Sequence, residues 1–566
     1  MGGSLPFAGV ALLALAAPFE LTEPLLRLPR QSVSSLESVL LLAFAAWGIA
    51  IASSRRVPEW RTPITLPWIA VLLAMAVASV ASPVSRMNAL HMTGRVGAAF
   101  LVYLLAVNSV TTPTRLRVIL VLAVSIGVLV SSLAILEYMG VGPVLTWLRA
   151  FRPQVMTVGA QVRAGGPLQY PTIASMYLEV VFAFGLGVML GELDASRPAW
   201  VAAAFIALVV IGEGITVTFT RAGLITMVAS LALVGAIRVS HRGADTGAMI
   251  VAALAIVVAI LFVSSRSTHS MWLRFISEGQ ESWYRAAIEA PRDVELPTGR
   301  IALVPITVTN TGRLPWASDA EPPILVSYHW LPANVDGFVT FDGARTPFAA
   351  PVPPDATASI EVHVVPPRQP GRYRLEWDLV QEGRLWFSTE AGAIRTMSSA
   401  TVTGDAAEGP LRATTPPSKP TMRPGRLELW RAAARMVAAH PLLGVGPDNF
   451  RLSYGSYAGI ASADPRTHSN NMYLEVLAGG GLLVGAAFAW LLWRTIGCVA
   501  ALVRHAAAGG VAAAAGLAAA AIAIALHATV DSFLSFAPTY VLFSLTLACA
   551  VACARGAENR LDAHRV

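Results

Sequence analysis

Residues 463–475 read Ala-Asp-Pro-Arg-Thr-His-Ser-Asn-Asn-Met-Tyr-Leu-Glu, and they mark the point where a long polar segment gives way to an apolar run. Ser469 or Asn470 is predicted to cap the start of a helix there, because either side chain can accept a hydrogen bond from a free backbone N–H group. In that helix His468 and Glu475 fall on one side of the first two turns. A histidine at the mouth of a membrane helix can accept a proton from a hydroxyl group. The alternative is that these side chains only cap a helix among lipid headgroups.

The composition is that of an integral membrane protein. The 566 residues are 55% hydrophobic and 13% charged, with a mean hydropathy of +0.60, whereas a soluble protein carries about 25% charged residues. The formal net charge is +7, but the arginines are scattered and do not indicate a nucleic-acid-binding face. The three cysteines lie in apolar runs and offer neither a metal-ligand spacing nor a disulfide framework. The first apolar run lacks the basic residues that open a signal peptide, so it is predicted to be a retained span.

Apolar runs of about 20 residues recur along the chain and predict about twelve transmembrane helices. The expected fold class is therefore a mainly α, polytopic membrane protein. Helices 1–9 are expected within residues 1–264 and helices 10–12 within residues 472–566. The runs lie near residues 5–18, 34–53, 64–82, 95–110, 116–138, 171–191, 198–219, 222–238, 247–264, 472–493, 508–527 and 536–554. The run beyond Arg494 can extend the tenth helix well past the bilayer.

Arginines in alternate short loops set the expected orientation. The loops after the even-numbered helices carry most of them, including Arg55, Arg56 and Arg61 in the first such loop. The positive-inside rule then places these loops and both termini in the cytoplasm. The long polar segment before residue 472 is accordingly expected on the outer side of the membrane.

Residues 283–405 differ from the rest of the chain in their hydrophobic pattern. Apolar residues alternate with polar ones in about seven short runs separated by turn signals, which predicts a β-sandwich. Two stretches, 309–316 and 370–377, resemble the immunoglobulin-like domain with four tryptophans that autophagy receptors carry. The tryptophans concerned are Trp316, Trp330, Trp377 and Trp386. Either they form the core of a spacer or brace, or an exposed aromatic ring contacts carbohydrate or a partner.

A linker and an amphipathic helix connect this region to the opening stretch. Residues 406–425 are rich in Pro, Thr and Gly and too poor in apolar residues to pack. Residues 426–471 are expected to form an external loop that begins with a helix. Leu429, Ala433 and Met436 lie on one side of that helix, which is expected to rest at the membrane interface.

Five segments, in chain order, resemble the O-antigen ligase and polymerase superfamily. They are Val162–Pro171, Thr218–Leu224, Arg426–Trp430, His440–Phe450 and His468–Gly485. The resemblance covers the membrane part and its large late loop, and it implies that the β-domain is an insertion in that loop. Asn470 stands where members of the family often carry a second histidine.

The resemblance implies an enzyme that moves a glycan from a polyprenyl (undecaprenyl) diphosphate carrier to an acceptor hydroxyl at the outer face of a bacterial inner membrane. A large periplasmic or extracytoplasmic loop would carry the site. His468 would be the catalytic residue, which either accepts the proton of the acceptor or orients its hydroxyl group while the leaving group departs. The arginines would bind the diphosphate through forked hydrogen bonds. The diphosphate-binding set is Arg163, Arg221 and Arg426, and the supporting set is Asn470, Asn471, Glu475 and Asp531. His527 and Asp531 are of second rank.

No Asp-x-Asp pair lies near the outer face, so neither a metal nor another cofactor is expected. A direct displacement by a single base would invert the anomeric centre. The expected partners are the lipid-linked donor, a glycan, glycolipid or protein acceptor, and membrane lipids, with no nucleic acid. A ligase, a polysaccharide polymerase and a protein O-oligosaccharyltransferase share these motifs and stay open as alternatives. A transporter of lipid-linked glycan is the alternative from another class, and it should show inverted repeats and broken helices.

Overall fold

The computed structural model describes residues 4–28, 31–54, 57–152, 156–158, 161–264, 283–298, 300–319, 323–334, 337–382, 385–389, 393–404, 425–459, 465–506 and 510–563. The predicted linker, 406–425, lies outside these ranges except for its last residue. The arginines at 55 and 56 also lie outside them.

Helices occupy every apolar run that the sequence singled out. They are α1 (Ser4–Ala16), α2 (Ser35–Ser54), α3 (Thr65–Val80), α4 (Arg86–Ser109), α5 (Pro113–Tyr138), α6 (Gly142–Leu148), α7 (Pro171–Asp194), α8 (Pro198–Val217), α9 (Arg221–Arg242), α10 (Thr246–Ser264), α11 (Arg426–Ala439), α12 (Phe450–Ala458), α13 (Met472–Arg504), α14 (Val511–His527) and α15 (Ala537–Ala563). Helix α13 continues past Arg494 to Arg504, as the sequence indicated.

Nine of the described helices are long and apolar enough to cross a membrane, so the protein is a multi-pass membrane protein. The other three apolar helices are shorter: α1 has 13 residues, α3 has 16 and α14 has 17. A span needs about 20 residues to cross a hydrocarbon core of about 30 Å. The count of twelve spans therefore stays a prediction.

Helix α7 forms the centre of the bundle, with 94% of its apolar window buried inside the protein. It packs against α14, α8, α5 and α9. Where α7 meets α14 the backbones touch, because a Cβ atom on Gly516 would lie 2.8 Å from the Cα atom of Gly187. Small residues allow this close approach in membrane bundles.

One face of the bundle collects the segments that carry the motifs. Ser82, just after α3, donates a hydrogen bond to the carbonyl oxygen of Val445 (2.8 Å). Arg163 reaches the end of α8, and the start of α13 reaches the end of α14. We call this side of the bundle, which carries Ser82, Arg163, Thr218, Val445 and Met472, the motif face. Its periplasmic location, and the identity of the membrane, stay predictions.

Two β-sheets share one apolar core between residues 283 and 404. The first sheet contains β5 (Ala286–Glu289), β7 (Ala302–Asn310) and β9 (Thr357–Val364) in antiparallel order. In the second, β10 (Gly371–Gln381) pairs antiparallel with β8 (Ile324–Pro332), β11 (Leu385–Trp386) and β12 (Thr396–Thr403), and β6 (Asp293–Pro297) runs parallel to β12. Two short hairpins precede them in the chain: β1 (Leu26–Leu28) with β2 (Gln31–Val33), and β3 (Met156–Val158) with β4 (Gln161–Arg163).

Three of the four tryptophans lie in the core of this two-sheet unit. Trp316, Trp330 and Trp377 are almost fully buried, whereas Trp386 is half-buried beneath the guanidinium group of Arg345, which lies 4.8 Å from a ring centroid. This arrangement favours the core role that the sequence allowed for them. The immunoglobulin-like assignment and the domain boundaries stay predictions.

The apolar face of helix α11 packs against protein, and the location of this helix at the membrane interface stays a prediction. Leu429 and Met436 are buried against Phe450 and Tyr454 of α12 and against Ala478 of α13. The chain between α11 and α12 turns back toward the bundle, which brings α12 over the face that was expected to meet lipid. Helices α11 and α12 are thereby packed against each other and against α13.

The reason for this return is a break in α13. Gly481 has non-helical backbone angles (φ +62°), so neighbouring backbone groups lose their partners within the helix. The loop 441–446 replaces them. The N–H groups of Val445 and Gly446 donate to the carbonyl oxygens of Ala478 and Gly479, and the N–H groups of residues 482 and 483 donate to the carbonyls of residues 441 and 442. Irregular backbone is tolerated at membrane depth when protein satisfies it in this way.

Candidate functional site

The start of α13 is held by the turn that follows α14. The backbone N–H of Met472 donates to the carbonyl oxygen of Ala528 (2.8 Å), and the amide of Asn471 donates to that of Thr529 (2.9 Å). The helix cap is Asn471, whose side-chain oxygen accepts from the N–H of Leu474 (3.0 Å). The prediction of a cap at residue 469 or 470 was therefore wrong by one or two positions.

Asn470 and Ser469 shape the turn that presents His468. Asn470 has a left-handed backbone (φ +52°), a conformation that asparagine tolerates better than most residues. The N–H of Ser469 donates to the carboxylate of Glu475 (2.9 Å), and its carbonyl accepts from the indole of Trp430 on α11 (3.1 Å). These contacts fix the backbone on either side of the histidine.

His468 lies between two carboxylates, and its side chain is 24% exposed. Its Nδ1 atom is 3.5 Å from Oε1 of Glu475 and 3.9 Å from Oδ1 of Asp448. Asp448 also accepts hydrogen bonds from Arg451 (2.9 Å) and from Asn88 at the start of α4 (3.2 Å). The structure therefore confirms the proximity of His468 and Glu475, and it adds Asp448, which the sequence analysis did not assign.

Two opposed effects set the pKa of His468. Burial alone would lower the pKa of the imidazole. The hydrogen bond and the negative charge of Glu475, followed by the charge of Asp448, outweigh burial and raise the pKa above its ordinary value. The imidazole is thus held by its acidic neighbours, and it becomes a base only as the pH rises through that elevated pKa.

The same three side chains, Asp448, His468 and Glu475, offer ligand atoms within 4.8 Å of one another. This is a spacing at which a metal ion could be held. The Arg451 guanidinium already occupies one oxygen of Asp448, so a cation would have to compete with that arginine. The geometry alone leaves the expectation of a metal-free site untested.

The three predicted arginines come from distant parts of the chain. Arg163, in β4, donates from Nε to the carbonyl oxygen of Thr218 (3.1 Å) and from Nη2 to Oγ1 of Thr220 (3.3 Å), which places it beside the loop that leads into Arg221. The side chain of Arg426 is exposed; desolvation by neighbouring groups and the positive charge of Arg221 lower the pKa of its guanidinium, while the negative charge of Asp531 opposes that change. The charges of Arg221 and Asp531 therefore both act on Arg426.

Asp531 links the arginines to the histidine. It lies in the turn after α14 and is half-buried. Burial raises the pKa of its carboxyl, against the charges of His527, His468 and Arg426 and a backbone hydrogen bond from residue 532. The charges of both His468 and Arg426 act on this carboxylate, and the convergence of the two parts of the predicted site stays a prediction.

A small cavity of about 40 Å³ adjoins the carboxylates that contact His468. Asp448, Glu475 and Ser532 give it a polar side, and the remainder of its lining is mainly apolar. None of the three predicted arginines lines it. A single cavity shared by His468 and the arginines therefore stays a prediction.

Sequence reasoning missed a buried carboxylate on α7. Glu179 is fully buried and accepts hydrogen bonds from Oγ1 of Thr226 on α9 (2.6 Å) and from Nδ1 of His527 at the end of α14 (2.8 Å). The available signal was a lone acidic residue within an otherwise uncharged span, which marks a functional candidate by default.

A second buried carboxylate supports the segment that carries Arg163. Glu137, near the end of α5, forms a buried ion pair with Arg152. It also accepts hydrogen bonds from the N–H groups of Gly165 (3.1 Å) and Gly166 (2.9 Å). The pair therefore anchors the loop that follows Arg163.

An apolar groove of about 540 Å³ runs between α9 and α10. It begins at Leu224, three residues after Arg221, and continues to Val239 near the other end of α9. All of its lining residues are apolar, and many of them are alanine. Fifteen residues of helix correspond to a length of about 22 Å, which is most of the thickness of a hydrocarbon core.

Comparison with known proteins identifies part of the chain. A family model described as O-Antigen ligase matches residues 393–489, a region that includes β12, α11, α12, His468 and the broken part of α13. None of the curated proteins matches the sequence. One solved structure, the Pseudomonas fluorescens alkylpurine DNA glycosylase AlkC bound to DNA containing an abasic site analog, aligns with 13% identity over 61% of this chain and 100% of that chain. Its TM-score is 0.13, so it carries no argument.

The family match confirms the resemblance to the O-antigen ligase superfamily. It supports a membrane protein of the glycan ligase or polymerase type, with a lipid-linked glycan donor and a glycan acceptor at a coarse level. The family match does not identify the donor, the acceptor or the roles of individual side chains.

Proposed function

We propose that the protein is a glycosyltransferase that moves a glycan from a polyprenyl diphosphate carrier to an acceptor hydroxyl at the outer face of the cytoplasmic membrane. The observation that carries the proposal is the His468 imidazole 3.5 Å from Glu475, on the side of the bundle where the charges of Arg221 and Asp531 act on Arg426. Two arginines beside one aspartate leave an excess of positive charge, which a bound anion would have to balance. A diphosphate with two to three negative charges meets that requirement.

In the proposed reaction, the acceptor oxygen attacks the anomeric carbon and forms the new glycosidic bond. The bond from that carbon to the diphosphate oxygen breaks, and both of its electrons remain with the diphosphate. The acceptor proton passes to His468, which Glu475 orients. Arg163, Arg221 and Arg426 stabilise the charge on the leaving group. A single displacement of this kind inverts the anomeric centre.

The groove between α9 and α10 is the proposed seat of the polyprenyl chain. It begins one helical turn from Arg221, so a diphosphate bound by that arginine would have its lipid chain at the mouth of the groove. An apolar lining stabilises an isoprenoid chain without offering polar groups to compete for it. This arrangement joins the charged and the apolar parts of one donor.

The scheme uses no metal ion, because the arginines carry the charge compensation. Chelator treatment should therefore leave the rate of glycan transfer within about twofold of the untreated enzyme. A loss of tenfold or more that a divalent cation restores would assign the cluster of Asp448, His468 and Glu475 to a metal, and it would overturn the role of His468 as a free base.

The test is reconstitution of the full chain with a radiolabelled polyprenyl-diphosphate glycan and candidate acceptors: a glycolipid, a growing glycan and a protein. His468→Ala should lower transfer by about 10²–10⁴-fold, the range for loss of a general base, while donor binding is retained. Arg221→Ala should weaken donor binding. Arg431→Gln, at an exposed position on α11, is the matched control and should behave as wild type.

Wild-type rates in both the His468→Ala and the Arg221→Ala variants would refute the proposed site. The acceptor that receives label separates ligase, polymerase and protein O-oligosaccharyltransferase activity. A transporter would instead move the labelled lipid across the bilayer without changing its glycan. The break in α13 does not favour that alternative, because backbone of the loop 441–446 fills it.

A further inference from the structure

The buried pair of Glu179 and His527 is the starting point, and the inference drawn from it rests on the proposed function. His527 is fully buried, and its Nδ1 atom lies 2.8 Å from Oε2 of Glu179. Thr226 donates to the same carboxylate oxygen (2.6 Å). The negative charge of a carboxylate in contact with an imidazole favours the charged form of that imidazole.

The second nitrogen of His527 has no partner within the described residues. Its Nε2 atom is buried and makes no hydrogen bond there. A buried donor without a partner is costly, and in native proteins such groups usually have a reason. Two further observations concern the surroundings of the ring. His527 is the last residue of α14, where the helix dipole favours a cation, and the charges of Asp531 and Arg426 both act on the imidazole.

The described residues thus include two histidine–carboxylate pairs whose imidazoles both influence the carboxyl group of Asp531 through their charge. His468 with Glu475 is partly exposed, and His527 with Glu179 is fully enclosed. Both imidazoles interact with Asp531. The side chain of His468 is partly exposed to an incoming acceptor, whereas the side chains of His527 and Glu179 have no exposed surface in the unliganded protein.

We propose that His527, held in its charged form by Glu179, donates a hydrogen bond from Nε2 to the diphosphate of the lipid-linked donor. The buried imidazolium would complete the cationic site that Arg221 and Arg426 begin. When the anomeric bond breaks, the diphosphate oxygen keeps the electron pair and His527 keeps its proton, so the residue binds the leaving group and does not act as its acid. His468 receives the acceptor proton, as before.

The experiment measures binding of polyprenyl diphosphate to the full chain in lipid nanodiscs. His527→Gln should weaken binding about 10- to 100-fold, the range for one hydrogen bond to a charged group. His505→Gln is the matched control, since His505 is exposed and follows α13 at the opposite end of that helix. It should bind as wild type does. Ligand-free thermal unfolding of each variant shows whether a loss of affinity is only a loss of folded protein.

A pH series supplies a readout that a purely structural pair would not change. It is run in a His468→Gln background, so that one imidazole of the site titrates. The charged groups that act on His527 are Glu179 on α7, Asp531 in the following turn and Arg426 on α11. Binding should weaken as the pH rises through the titration of His527, and Glu179→Gln should move that step to lower pH. The ionisation of the ligand is common to all variants and cancels in the comparison.

The outcomes separate the inference from the proposed function. If wild type and Arg426→Gln bind polyprenyl diphosphate equally, or neither binds it, the proposed function fails. If Arg426→Gln weakens binding and His527→Gln does not, the function stands and the role of His527 is overturned. If His527→Gln does not fold, the Glu179→Gln pH series decides, and an unshifted step overturns the proposal.

Discussion

Replacing Arg426 by glutamine tests whether this arginine binds substrate or supports the fold. In the unliganded protein the like charge of Arg221 and the opposite charge of Asp531 both act on the guanidinium of Arg426. Removing one of two repelling charges should not destabilise the empty protein. We therefore expect the free energy of unfolding without ligand to change by no more than about 0.5 kcal/mol, the usual range for a surface substitution without structural consequence.

The effect on the donor should be much larger. A hydrogen bond between a guanidinium group and a phosphate contributes about 1.5–3 kcal/mol, and 1.4 kcal/mol corresponds to a factor of ten. Losing one such bond should raise the KM for the lipid-linked donor by about 10- to 100-fold. The assay is glycan transfer against donor concentration, combined with thermal unfolding of the empty protein.

Arg431→Gln on the same helix serves as the control, with the expectation of unchanged KM and stability. If Arg426→Gln costs more than about 2 kcal/mol of stability while the donor KM stays at the wild-type value, the arginine is structural and the reasoning is refuted. If Arg221→Gln and Arg426→Gln act through one shared anion, the double variant should lose less than the sum of the two single losses in binding free energy.

Three other predictions address the base, the lipid chain and the scaffold. Glu475→Gln removes the main interaction that raises the pKa of His468, so the rising limb of kcat/KM against pH should move to lower pH; an unmoved limb would exclude His468 as the titrating base. Ala255→Trp in the groove should raise the KM for a long-chain donor at least tenfold and leave the KM for a short-chain donor unchanged. Ile256→Trp, on the exposed side of α10, is the control and should change neither KM. Equal effects of Ala255→Trp on both donors would argue against the groove. Arg152→Met leaves a buried carboxylate unpaired and should cost about 3–5 kcal/mol of stability, measured by thermal unfolding; a neutral result would show that the pair does not anchor its loop.

The helical part of the fold was accessible from the sequence because its signal is local. Each apolar run predicted a helix, and each run contains one. The side of α13 shared by His468 and Glu475 was also predictable, since residues seven apart return to the same side of a helix. The position of the cap was not, because the choice of Asn471 depends on the turn after α14, to which both Asn471 and Met472 are bound.

Contacts between distant segments explain the other failures. The amphipathic pattern of α11 was read correctly as a helix, but it does not reveal whether lipid or protein covers the apolar side. Asp448 lies in the segment His440–Phe450 that resembles the family, but the sequence did not indicate a role for it. Its contact with His468 depends on the path of the loop around residue 446. Glu179 carried a usable signal as a charge in a membrane span, and only its partner, His527, required the folded structure to identify.

The break at Gly481 also bears on how the polypeptide matures. Until the segment 441–446 arrives, the interrupted part of α13 exposes backbone amides and carbonyls with nothing to bind them, a state that hydrocarbon strongly disfavours. That segment is translated before α13 and must wait until the helix has emerged and inserted. We therefore expect this region to become ordered late in biogenesis, so that His468 reaches its final orientation only after the segment 441–446 has bound the interrupted part of α13. Incompletely assembled chains would then be inert toward the pool of lipid-linked sugar.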